Sequence, residues 1–305
     1  MTKKWVLGGC AAVVLGGAAM AGTGHQWGNY RWGPGNEPVT LELSYKFSAA
    51  TEAKWLPYYS QASYNAIEKW DSNSQSPLTL IEKGEAAGKT SAGCEPIAGE
   101  IIVCADEYGT NQGWVGIAQI WASGDQITQA TAKMNDSYYE YNSFYDTPGQ
   151  REFVMCHEIG HTFGLGHLDT NFNNGNLGSC MDYTSNPAGP PDNRDPGQVD
   201  WDVLNSSTMY GAADSGGGGG GGRGGGKPDK GDGGGGGPPP GKGKNKLGAL
   251  PASETGLERG RFGGVVGYDA EGRPNQFLRD MRGGAKRYTF VMWAKGYRPE
   301  GSRRR

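Results

Sequence analysis

Three of the four histidines in this 305-residue chain lie within eleven positions, in "CHEIGHTFGLGHLD", residues Cys156 to Asp169. His157 and His161 are four apart, so on a helix they project from one face a turn apart and can share an ion. His167 lies beyond the point where Gly164 can end such a helix, and a turn there swings it back as a third nitrogen ligand. Three neutral imidazoles suit Zn²⁺ and leave a fourth tetrahedral position open for water, the arrangement of a catalytic site. Glu158 projects about 100° round the helix from His157, at the edge of the metal face. From there its carboxylate can act as general base toward a metal-activated water and then pass the proton to a leaving amine.

The element that must carry these residues has a readable start. Thr147 is placed to cap it, Pro148 suits the first helical position, and Gln150 can complete a capping box. Upstream, "VTLELSYKF" alternates Val39, Leu41, Leu43, Tyr45 and Phe47 on one face of a strand. "EAKWLPYYSQASYNAIEKWDS" is spaced as one helix, with Pro57 expected in its first turn. "LTLIEKG", "GEIIVCADEYG", "GWVGIAQIW" and "ITQATAKMND" read as further strands, the last two as a pair. This order of elements predicts an α+β domain, a twisted mixed sheet with helices packed on it.

Composition sets the organisation. Residues 1–21 have two lysines, an apolar run and Ala19-Met20-Ala21, the pattern of a cleaved signal peptide. Cys10 in "LGGC" only loosely matches a lipoprotein signal. The protein is therefore expected to be secreted, periplasmic or extracellular. Residues 22–214 form the globular domain, residues 215–247 a Gly- and Pro-rich disordered linker, and residues 248–305 a basic β-rich segment. From Glu254 to Arg305 twelve Lys or Arg oppose six Asp or Glu, a local net of +6 within a chain of net −3. The overall charge gives no general attraction to nucleic acid or membranes. The tail has two readings: extra sheet packed on the domain, which is favoured because "YTFVMW" is apolar on both faces, or a module that contacts an anionic cell envelope. The chain is expected to be a monomer.

Cys94, Cys104, Cys156 and Cys180 remain after signal removal, an even number for which disulfides are expected and three pairings are possible. Cys94 with Cys104 would close a short loop. "DTNFNNGN" is rich in oxygen side chains that suit Ca²⁺ and equally suit a tight loop.

The full pattern H-E-x-x-H-x-x-G-x-x-H, His157 to His167, resembles that of the metzincin clan of zinc endopeptidases. The resemblance implies His157, His161 and His167 as zinc ligands, Glu158 as general base, and Met181 of "SCMDY" as the methionine turn beneath the metal. It further implies that Cys156 and Cys180, each next to a residue of the site, are close enough to pair. Tyr183 matches the tyrosine that stabilises the oxyanion in the astacin and serralysin branches, or else it packs in the turn with its hydroxyl bonded. "DPGQVDWDVLNSSTMYG" corresponds to the clan's C-terminal helix, with Val199, Val203 and Leu204 available to pack. "GIAQIW" corresponds to its upper edge strand, so Gly116, Ile117 and Ala118 would pair with an extended protein or peptide substrate.

About seventeen residues separate the expected cleavage site from the first strand, too few for the usual inhibitory propeptide, and no free-cysteine latency motif lies among them. Two other functions share these residues. One is a non-catalytic, metal-stabilised envelope or matrix-binding protein, against which stands the lack of a fourth protein ligand. The other is a metallohydrolase of peptidoglycan cross-links.

Overall fold

A computed structural model of the protein describes residues 25–60, 65–211 and 257–303. The expected signal peptide, residues 1–21, and the Gly-rich stretch 215–247 lie outside the described residues. The chain folds as a mixed α/β structure around one eight-stranded sheet. β1 (Val39–Phe47), β2 (Leu78–Glu85), β3 (Glu100–Asp106), β4 (Trp114–Ser123) and β5 (Gln126–Asn135) come from the first region. β6 (Gly264–Tyr268), β7 (Pro274–Asp280) and β8 (Lys286–Trp293) come from the basic tail. The order across the sheet is β2-β1-β3-β5-β4-β8-β7-β6. The pairs β1–β2, β1–β3 and β3–β5 are parallel, and the four remaining pairs are antiparallel.

Alternation along the strands divides the interior. Ile101, Val103 and Ala105 of β3 join the main core, whereas Ile102 and Cys104 face the other side with Cys94. The main core is covered by α1 (Glu52–Tyr59), α2 (Ala66–Asp71) and α4 (Pro148–Thr162), with α3 (Asp136–Tyr141) following β5. α4 packs across β4 and β5. α5 (Gln198–Leu204) buries Trp201, Val203 and Leu204, while Val199 is only partly covered. On the opposite face α6 (Leu257–Phe262) packs on β7, and Trp114, Ile117, Phe277, Val291 and Trp293 form a second cluster with Phe262.

Two expectations are corrected here. The single helix expected over residues 52–72 is two, α1 and α2, and Pro57 lies past the first turn of α1. Without an N–H, proline cannot sustain the helical ladder, and α1 ends two residues later. Asn65 caps α2 by accepting from the Glu68 N–H at 3.0 Å. The larger correction concerns β4, which is not an edge strand: β5 pairs with one side of it and β8 with the other. The tail is thus extra sheet, as the two-sided apolar pattern of "YTFVMW" requires, with Tyr288, Phe290, Val291, Met292 and Trp293 all buried.

The disulfides pair Cys94 with Cys104 and Cys156 with Cys180, each with Cα atoms 5.9 Å apart. Cys156 lies in α4 and Cys180 in the segment beneath it, so the second bridge closes a loop across the histidine cluster. Replacing Cys180 by Ser should cost about 2–4 kcal/mol in denaturant unfolding, and non-reducing peptide mapping of the parent protein should recover both pairs cross-linked.

Candidate metal centre

α4 begins as its sequence dictates. The Thr147 side chain accepts from the Gln150 N–H at 3.2 Å, and Pro148 takes the first helical position. The reciprocal half of the capping box is replaced, because the Thr147 N–H donates instead to the Tyr145 carbonyl at 2.7 Å. The helix runs to Thr162 and is stopped by Gly164, whose φ of 96° belongs to the left-handed region. A side chain there would also collide with the Tyr30 carbonyl, since residues 25–32 run alongside and the Trp27 N–H bonds the Gly164 carbonyl at 2.9 Å. The turn brings His167 back beside the helix.

The three imidazoles converge. His161 Nε2 lies 3.0 Å from His157 Nε2 and 3.1 Å from His167 Nε2. His157 Nδ1 lies 2.6 Å from the Cys180 carbonyl, and His161 Nδ1 2.8 Å from the Leu165 carbonyl. A carbonyl only accepts, so both Nδ1 atoms carry the proton and both Nε2 atoms present lone pairs. Lone pairs facing each other at this range repel, and a cation between them removes the repulsion. Four-coordinate Zn²⁺ with Zn–N of about 2.0–2.1 Å sets tetrahedral nitrogens about 3.3 Å apart, close to the spacing here. Among the described residues this is the only group of three His, Cys, Asp or Glu side chains placed to share an ion. The site can hold a metal, and its donors suit zinc. Burial keeps the rings neutral, lowering His157 to about 4 and holding His161 and His167 well below the usual histidine range, with neighbouring imidazoles adding to the effect.

Glu158 is 1% exposed, and neither carboxylate oxygen has a hydrogen-bond partner among the described residues. Burial raises its pKa well above the ordinary carboxylate range. The carboxylate rests against Gly116 of β4, where a Cβ would overlap Oε1. Gly116 therefore makes room for Glu158, a role that sequence spacing did not suggest. Its backbone, with those of Ile117 and Ala118, is already paired, opposite Met292, Val291 and Phe290 of β8. The expected substrate edge is occupied by the chain itself.

Met181 is fully buried against Gly160 of α4, where a Cβ would meet its Sδ. Its carbonyl accepts from the Leu168 N–H at 2.8 Å, which ties the turn to the residue after His167. The Tyr183 ring lies 4.7 Å from that of His167 and 5.5 Å from that of His157. Its hydroxyl is 3.4 Å from both the Val291 carbonyl and Asn275 Nδ2. The side chains of the oxygen-rich loop are engaged in hydrogen bonds: Asp169 accepts from Asn171 N and from Asn174 Nδ2 within the loop, and the Asn176 amide donates to the Asn186, Gly189 and Pro191 carbonyls of the following segment. That pattern is the one a tight hydrogen-bonded loop uses.

Several residues at the site carry no local sequence signal of their role. The Phe290 ring of β8 stacks on His161, with centroids 4.1 Å apart and planes at 8°. Gln276 of β7 reaches within 3.5 Å of His167 Nδ1 and accepts from Trp27 Nε1 at 3.0 Å. The only sequence signal for them was the demand of "YTFVMW" for cover on both faces. No family model matches the chain, and no curated protein matches it.

Purified protein should carry one zinc per chain by metal analysis, and His161→Ala should lose it, because two imidazoles hold zinc far more weakly than three. Gly116→Ala should keep the zinc and lower stability by about 1–3 kcal/mol in denaturant unfolding, the usual cost of overpacking.

Proposed function

We propose that the protein is a secreted, zinc-dependent endopeptidase of metzincin type, with His157, His161 and His167 holding the metal. Zinc in such a site polarises a carbonyl and lowers the pKa of a coordinated water to about 7. Glu158 acts as the general base: it accepts a proton at its carboxylate and returns it to the departing amine nitrogen. Burial makes this carboxylate a stronger base than an exposed glutamate. Tyr183 lies beside two of the ligands and is positioned to donate its hydroxyl proton to a developing oxyanion once that hydroxyl is freed from Val291 and Asn275. Met181 supports the ligand set from below α4.

The observation that carries this reading is the unpartnered Glu158 carboxylate buried on the helix that bears two of the histidines. Burying such a group without hydrogen bonds is costly, and a purely structural metal site has no use for it. A second reading, a metal-stabilised envelope or matrix-binding protein, draws on the cover that Phe290 gives the histidines. Secretion is supported by the two disulfides and the N-terminal sequence. No described helix is long and apolar enough to cross a membrane.

Peptide-library digestion, run on the intact chain and on chain cut between residues 215 and 246, separates the two. The expected result is chelator-sensitive hydrolysis, read on the cut protein, and a loss of about 10²–10⁴-fold in Glu158→Gln cut in the same way, at equal zinc content. Tyr183→Phe should fall between, costing about 3 kcal/mol or less of transition-state stabilisation. Equal turnover by cut Glu158→Gln and cut parent would move the binding-protein reading to the front.

A further inference from the structure

The peptidase reading needs an extended substrate to lie along β4 beside the metal, and that place is taken. β8 runs antiparallel to β4, with Gly116 opposite Met292, Ile117 opposite Val291, Ala118 opposite Phe290, Gln119 opposite Thr289 and Ile120 opposite Tyr288. This is the pairing an added peptide strand would make. Alternation puts Tyr288, Phe290 and Met292 on the side facing α4 and the histidines, while Val291 and Trp293 join the opposite cluster.

The tail meets each functional part of the centre. Phe290 covers the ring of His161, and Gln276 lies at His167. The Val291 carbonyl and the Asn275 amide engage the Tyr183 hydroxyl. Met292 sits opposite Gly116, on which the Glu158 carboxylate rests. Trp27 and Tyr30 from the N-terminal side close over the same strand, with the Trp27 ring 4.0 Å from that of Tyr288 and 5.0 Å from that of Phe290. A peptide substrate and β8 cannot both use this edge.

We propose that residues 257–303 are an intramolecular inhibitor, with β8 seated as a resident strand in the substrate groove, and that cleavage of the connecting sequence releases it. The inference rests on the peptidase reading for its purpose, and on the β4–β8 pairing for its substance. Covalent connection keeps a strand at an effective concentration of about millimolar, so an intact chain outcompetes dilute substrate for its own groove. Once the connection is cut, the segment is an ordinary bimolecular ligand and leaves on dilution. The Gly- and Pro-rich stretch between Gly211 and Leu257 is where the cut falls, since cleavage there breaks none of the strands that form the sheet.

The test uses the full chain with a site-specific protease recognition sequence inserted between residues 215 and 246, loaded with Co²⁺ for spectroscopy and with Zn²⁺ for activity. Acetohydroxamate, a small metal-chelating probe, reports access to the metal through the cobalt spectrum. Hydrogen exchange at Gly116–Ile120 reports pairing of the β4 edge. In the intact chain the spectrum should ignore the probe, the amides should be protected, and peptide turnover should be low. After cleavage and dilution the spectrum should shift, the amides that paired with β8 should exchange faster, and turnover should rise by about 10²-fold or more. Adding the separate 257–303 peptide in excess should reverse all three. Equal probe binding and equal turnover in intact and cut protein would overturn the proposal. A gain in probe access and exchange without turnover on any peptide would uphold the occluding strand and remove the peptidase reading instead.

Discussion

Two imidazole nitrogens that point their lone pairs at each other inside a protein repel, and the His157 and His161 rings have their protons committed elsewhere. The Cys180 and Leu165 carbonyls take the Nδ1 protons of His157 and His161, so neither Nε2 can relieve the contact by donating. A cation placed between them would resolve the conflict, and much of the architecture serves to hold the three rings close enough to share one. α4 sets the first two at helical spacing, Gly164 reverses the chain, and the Leu168–Met181 backbone bond holds the returning segment against the turn below.

Around that constraint the packing is close. The Cys156–Cys180 bridge joins the helix to the segment whose carbonyl orients His157, so covalent structure and ligand orientation share a residue. Trp70 packs on Phe163 and Trp201, and its indole N–H donates to the Cys156 carbonyl at 3.3 Å, bracing the far side of α4. On the sheet side Gly116 lets the backbone of β4 approach near enough for Glu158 to lie flat against it. Each support acts on geometry, which brings three neutral side chains within reach of a single ion.

The tail strands complete the hydrophobic arrangement and bear on the chemistry at once. Val291, Trp293 and Phe277 join Trp114 and Ile117 in a cluster that neither region can bury alone. The same strand presents Phe290 to His161 on its other face. A two-sided apolar strand in the middle of a sheet is stable because both faces are covered, and here one of those covers includes the histidine cluster.

Local sequence determined the chemistry-bearing helix almost completely. Thr147 and Pro148 start it, His157 and His161 share a face through 3.6-residue periodicity, and Gly164 ends it because only a residue without Cβ takes that backbone angle at low cost. The strands from β1 to β5 were legible for the same reason, since alternation is a short-range signal. The break between α1 and α2 was less so, because the apolar spacing continues across it while the backbone does not. What only the tertiary structure decided was the partner of β4. Backbone hydrogen bonds between strands carry no residue code, so nothing within "GIAQIW" or "YTFVMW" names the other as its neighbour across about 170 residues of chain. Gly116 as the seat of Glu158, Phe290 over His161 and the Val291 carbonyl at Tyr183 all follow from that one pairing, and each joins residues that only the folded sheet brings together.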